Sequence, residues 1–166
     1  GLRSKIIQPG EREFIFPWET LYRIETSIQS IAWGSVGQGE NPNAEDYVET
    51  RALDGNEVGL GLTVLYRVTP DRVRDVIQYV GIDDKAIRDF VSAVARADIR
   101  THMNILRTRD FFNPEDRQKA VDQVREALNR RLNVEGISIE KVIYNDHRFE
   151  RRLSDGTVDR TYQEQI

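Results

Sequence analysis

At 166 residues the chain can hold one domain with a real core, or one domain plus a tail. Its 39% hydrophobic and 31% charged residues describe a globular, charge-rich protein. A formal net charge of −4 argues against a general nucleic-acid binder, which needs a basic surface to exchange for counterions, and the lack of cysteine removes disulfides and thiolate ligands. The chain opens "GLRSKIIQPGE", without an initiator methionine or signal-peptide pattern, as expected of an excised fragment or a processed product. No run approaches the ~18 consecutive apolar residues of a membrane-spanning helix.

"SKIIQPGEREFIFPWE" predicts a short strand, a Pro9-Gly10 turn and a second strand over residues 12–16 that Pro17 stops. "TLYRIETSIQSIAW" alternates, with Tyr22, Ile24, Thr26 and Ile28 on one face. Residues 34–46, rich in Gly, Asn and Pro, are expected to form an exposed loop. Residues 47–53 then make a strand, Asp54-Gly55 a tight connection, and residues 58–68 the returning strand of a hairpin. Val58, Leu60, Leu62, Val64, Tyr66 and Val68 share one face by the period of two, and that face is core. The other face begins with Gly59 and Gly61, whose size leaves room for close approach by a packed part of the same chain, the preferred reading, or by another chain.

At Thr69-Pro70 the period switches. Threonine is a good N-cap and proline suits the first helical position, so a helix follows with Val73, Val76, Ile77 and Val80 inward and Gly81 as a left-handed stop. A longer helix over residues 83–107 buries Ile87, Phe90, Val91, Val94 and Ala97. Asn113 caps a third, with Pro114 in its first turn and Glu115 and Asp116 at its positive dipole end. It buries Val121, Val124, Ala127, Leu128 and Leu132 and ends at Gly136. A last strand, residues 137–146, closes the domain, and residues 147–166 read as a polar extension leading toward a helical, coiled-coil region. Strands, then helices, then a strand predict an α+β domain with a mostly antiparallel sheet packed against about three helices.

Visible chemistry is sparse. The two histidines, His102 and His147, have no partner at ligand spacing, so no metal or other cofactor is expected. Asp146 beside His147 suggests an acid–base pair, but adjacent strand residues point to opposite faces. Phe14, Phe16 and Trp18 suit a membrane interface; the alternative, preferred for Phe14 and Phe16, is a strand whose alternate aromatics enter the core. Asp122, Arg125, Glu126, Arg130 and Arg131 form a mixed-charge helix face, solvated by default but suited to lateral contact between copies.

"ETRALDGNEVGLGLTVLYRVTPDRV" resembles the central hairpin and first helix of the stomatin/prohibitin/flotillin/HflK-HflC superfamily, the SPFH or band-seven domain. "VARADIRTHMNILRTRDFFNPEDRQKAVDQVREALNRRLNVEGISIEKVIYND" is similar to its second half, and "QPGEREFIFPWETLYRIETSIQS" to its opening. The ordered resemblance covers residues 5 to 146. It implies an N-terminal membrane anchor, this domain near the bilayer and a C-terminal coiled coil. It also implies non-catalytic scaffolds that assemble with themselves or with related chains into rings or cages, organise membrane microdomains and, in some branches, restrain a membrane-bound AAA+ protease. The long loop at residues 34–46 and a tail without an Ala/Glu-rich start depart from that pattern. Two rival readings are a soluble adaptor recognising a ligand through residues 34–46, and a hydrolase centred on His147.

Overall fold

The computed structural model describes residues 6–34, 47–152 and 158–159. Most of the expected loop at residues 34–46 and of the C-terminal extension lies outside the described residues. The α+β class stands: the described elements are four strands, a two-residue fifth strand, three α-helices and three short 3-10 turns.

The organising element is the returning strand of the hairpin. Strand β3 (Glu57–Val68) bonds antiparallel to β1 (Gln29–Ala32) and β2 (Val48–Arg51), which lie end to end along one edge, and to β4 (Ile137–Arg152) along the other. β5 (Val158–Asp159) pairs with the end of β4. All six residues of the predicted β3 core face are buried. Each such aliphatic side chain contributes roughly 1.5–3 kcal/mol relative to an exposed one. Gly55, at φ +93°, turns the hairpin as expected.

Helices α1 (Val73–Tyr79), α2 (Asp84–Met103) and α3 (Pro114–Leu132) supply the second layer. The Asp83 side chain accepts from the Ala86 N–H to cap α2, and Asn113 accepts from Glu115 to cap α3. Every predicted buried residue of α3 is buried, and Gly136 closes the connection to β4 at φ +88°.

Several local readings are corrected. Residues 12–16 form no strand, and Phe14 and Phe16 lie outside the core, Phe14 being 74% exposed. The alternation before the loop has the other parity: strand pairing begins at Gln29, Ile31 and Trp33 are fully buried, and Tyr22 and Ile28 are exposed. Thr69 makes no side-chain cap bond, and Pro70 opens a single 3-10 turn ahead of α1. Gly81 is not left-handed; a Cβ there would lie 2.5 Å from that of Ala86, so glycine permits close approach. Helix α2 stops at Met103, and Ala97 faces solvent while Ala95, Asp98 and Ile99 face inward.

The largest correction is at β4, which runs six residues past the predicted end and takes in His147. Register shifts against β3 fall between Leu65 and Tyr66 and between Gly61 and Leu62, leaving Glu140 and Asn145 as extra residues. Each bulge resets the alternation. Ile137, Ile139, Val142, Tyr144, His147 and Phe149 therefore all face the helices, although the text "IYNDHRFE" does not alternate.

Candidate interaction surfaces

On the face of the sheet away from the helices, the glycines of β3 form a notch that the chain fills itself. Asp146 lies over Gly61 and Arg148 over Gly59, with Tyr47 alongside; a Cβ on Gly61 would fall 1.8 Å from Asp146 Oδ1. The Tyr47 hydroxyl donates to Asp146 Oδ2 at 2.6 Å. The Arg148 guanidinium stacks over the Tyr47 ring at 4.3 Å and donates to Glu49 Oε1 at 2.7 Å. Gly59 and Gly61 are thus buried under their own chain, the intramolecular version of close approach, and are not offered to a second protomer. No motif or spacing in the sequence marks Tyr47, Glu49 or Arg148. The period of two joins Asp146 to Arg148 only once the strand is known to continue.

His147 sits on the opposite face from Asp146, so the two do not form an acid–base pair. Its ring packs against Phe112 and Phe149 at centroid distances of 5.1 and 5.3 Å and against Phe111 at 6.0 Å, and its Nδ1 is bonded to the Tyr144 hydroxyl. Arg117 lies over the Tyr144 ring at 4.9 Å. Burial, reinforced by the Arg117 charge and opposed by Asp146, lowers the His147 pKa below its ordinary 6.5; burial also raises that of Tyr144. A histidine depressed in the folded state adds stability above its unfolded pKa and loses it as pH falls through the folded value, because the unfolded chain then binds the extra proton. Urea midpoints should therefore fall as the pH is lowered below about 6.5, and His147→Gln should flatten that dependence. An unchanged slope in the variant would assign it to other groups.

At the N-terminal end, a tight turn displays aromatic rings to solvent. Glu19 N–H donates to the Phe16 carbonyl at 2.9 Å, and the Glu19 carboxylate accepts from the Phe16 N–H at 2.9 Å. Phe14 meets Phe16 edge-on at 5.2 Å, and Phe16 stacks on Trp18 at 4.8 Å. Trp18 is 77% exposed, and Leu21 and Ile28, later in the same segment, are also exposed.

On α3, Asp122, Arg125, Glu126, Arg130 and Arg131 are all exposed. Asp122 accepts from the Gln118 amide at 2.8 Å, while Arg131 reaches across to the buried Asp98 of α2. Arg131 therefore serves first as an internal tie. His102 is half-buried on α2. No group of three or more metal-ligating side chains occurs among the described residues.

The sequence profile of the SPFH domain / Band 7 family matches residues 1–166. The chain belongs to the SPFH/Band 7 family. No curated protein sequence matches it. SPFH domains are in general membrane-associated, non-catalytic scaffolds. In this SPFH domain no described helix is long and apolar enough to cross a membrane.

Proposed function

We infer that this SPFH domain is a scaffold unit that lies against a membrane, associates with copies of itself or with related SPFH chains into ring- or cage-like assemblies, and so organises membrane microdomains. Restraint of a membrane-bound AAA+ protease is the partner role that fits such an assembly. The observation that carries the reading is the solvent-exposed stack of Phe14, Phe16 and Trp18, rings of the kind that favour the headgroup region of a bilayer. Family membership supports the scaffold role. The exposed mixed charges of α3, chiefly Arg125, Glu126 and Arg130, suit side-by-side contacts that set register more than affinity. Such contacts are weak alone and are strengthened when tethering raises the effective concentration. The isolated chain is therefore expected to be monomeric or weakly oligomeric, and to lack hydrolase activity at His147.

Vesicle binding tests the reading. Of the two tryptophans Trp18 is exposed and Trp33 fully buried, so a blue shift of emission on adding phosphatidylserine-containing vesicles would report Trp18 alone. Trp18→Ala should remove the shift, and Phe14→Ala with it should weaken co-sedimentation about tenfold, the equivalent of about 1.4 kcal/mol. Binding that survives both changes would move the membrane contact elsewhere.

A further inference from the structure

We propose that Glu19 positions the aromatic turn on the bilayer and sets its choice of lipid. Its carboxylate closes the turn that holds Phe16 against Trp18, and the charge it carries into the contact favours a zwitterionic over an anionic surface. The inference rests on the membrane reading above and adds the lipid class to it.

The turn is one of a pair. "QPGE" at residues 8–11 and "FPWE" at residues 16–19 share proline in the second position and glutamate in the fourth. Both fold back in the same way. Glu11 N–H donates to the Gln8 carbonyl, and the Glu11 carboxylate accepts from the Gln8 N–H, each at 3.0 Å. Glu19 and Phe16 repeat that exchange at 2.9 Å in each direction. Proline suits the second position because its φ is preset and it brings no N–H to compete for the carboxylate. The third position is where the two differ. Gly10 takes φ +85°, as a type II turn demands, whereas Trp18 keeps φ negative, as type I geometry allows. One clamp thus carries a bare glycine and the other an exposed indole.

Rings already ordered in water lose less freedom on binding. Phe16 and Trp18, the first and third residues of the closed turn, lie with their planes only 9° apart. The reciprocal bonds also leave neither the Phe16 N–H nor the Glu19 N–H unpaired, which matters where lipid displaces water. Opening the turn restores both costs. The lipid preference follows from the same bond. A carboxylate held on the Phe16 N–H travels with the Phe16 ring, so an anionic surface opposes it and a zwitterionic one does not. The formal net charge of the chain, −4, acts in the same direction.

Glu19→Gln and Glu19→Ala separate the two roles, because they share one net charge and only glutamine keeps an acceptor for the Phe16 N–H. Trp18 emission reads binding to vesicles, while the buried Trp33 reports an intact core. On phosphatidylcholine vesicles Glu19→Gln should bind within about twofold of the wild-type chain, and Glu19→Ala about three- to tenfold more weakly than Glu19→Gln. With phosphatidylserine mixed in, Glu19→Gln should bind about fivefold more tightly than the wild-type chain. Glu11→Ala opens the turn without rings and should leave binding to phosphatidylcholine unchanged. Equal binding of Glu19→Ala and Glu19→Gln overturns the positioning role, as does a loss in Glu11→Ala that matches the loss in Glu19→Ala. Equal binding of Glu19→Gln and the wild-type chain to the mixed vesicles overturns the lipid preference. A wild-type chain whose Trp18 emission shifts on neither vesicle overturns the membrane reading itself.

Discussion

Replacing Gly34 by alanine is expected to destabilise the domain by about 3 kcal/mol. Two independent causes add. Gly34 sits at φ +86°, where a Cβ costs an L-residue roughly 1–2 kcal/mol. That Cβ would also lie 2.6 Å from Gly61 Cα and 3.2 Å from the Tyr47 ring. The first contact is with backbone of the central strand, which cannot rotate aside, and overpacking of this type costs a further ~1–3 kcal/mol. Gly55→Ala is the matched control, because φ is +93° there but nothing lies within 4 Å of the added atom. Urea denaturation should show a loss of about 1–2 kcal/mol for Gly55→Ala and at least twice that for Gly34→Ala. Equal losses would mean that the chain around Trp33 yields and that the close approach of the two glycines is dispensable.

Arg131→Met should cost about 2 kcal/mol, and adding Asp98→Ala should recover much of it. Asp98 is 7% exposed in the α2–α3 interface; Arg131 binds its Oδ1, while Oδ2 is buried with no hydrogen-bond partner among the described residues. Removing the cation strands a carboxylate in that interface, whereas removing both charges leaves a void and no desolvated ion. The value lies below the range for fully buried pairs because the Arg131 side chain is about half exposed and water screens its charge. A double-mutant cycle by thermal or urea unfolding measures the coupling. Simple additivity of the two changes would remove the tie between the helices as a source of stability. Arg131 also belongs to the mixed-charge face of α3, so Arg125, Glu126 and Arg130 are better targets for probing contacts between copies without loosening the fold.

Much of this architecture could be read from local chemistry. The hairpin is specified by Asp54-Gly55 between strand-like runs, α3 by Asn113-Pro114 at one end and Gly136 at the other, and the β3 core by uninterrupted alternation. The failures share a cause, which is that a period describes a pattern and not what covers it. "FIFPW" alternates as a buried strand would, yet no described strand pairs with it and its rings face solvent. "NDHRFERR" lacks alternation because of the bulge, so a strand reads as a polar tail. The outer-face network was legible only as a pair of unexplained glycines. Its members, Tyr47, Glu49, Asp146 and Arg148, come from segments about a hundred residues apart, and nothing local links them. Asn129 was invisible for the same reason, since its carboxamide donates to the carbonyl and accepts from the N–H of Ile139, ten residues away.

The placement of β3 between strands from both ends of the chain has a consequence for biosynthesis. Its even-numbered groups are satisfied by segments already made, at positions 29–32 and 48–51, whereas its odd-numbered groups wait for residue 137 and beyond. While a ribosome translates the three intervening helices, a twelve-residue strand with one wholly apolar face carries one bare flank. Pairings this distant in sequence form slowly, and unpaired flanks invite adhesion to other nascent chains. A polypeptide released before β4 is complete should therefore aggregate rather than persist as a smaller folded unit, and chaperone demand during synthesis should peak between the emergence of β3 and that of β4.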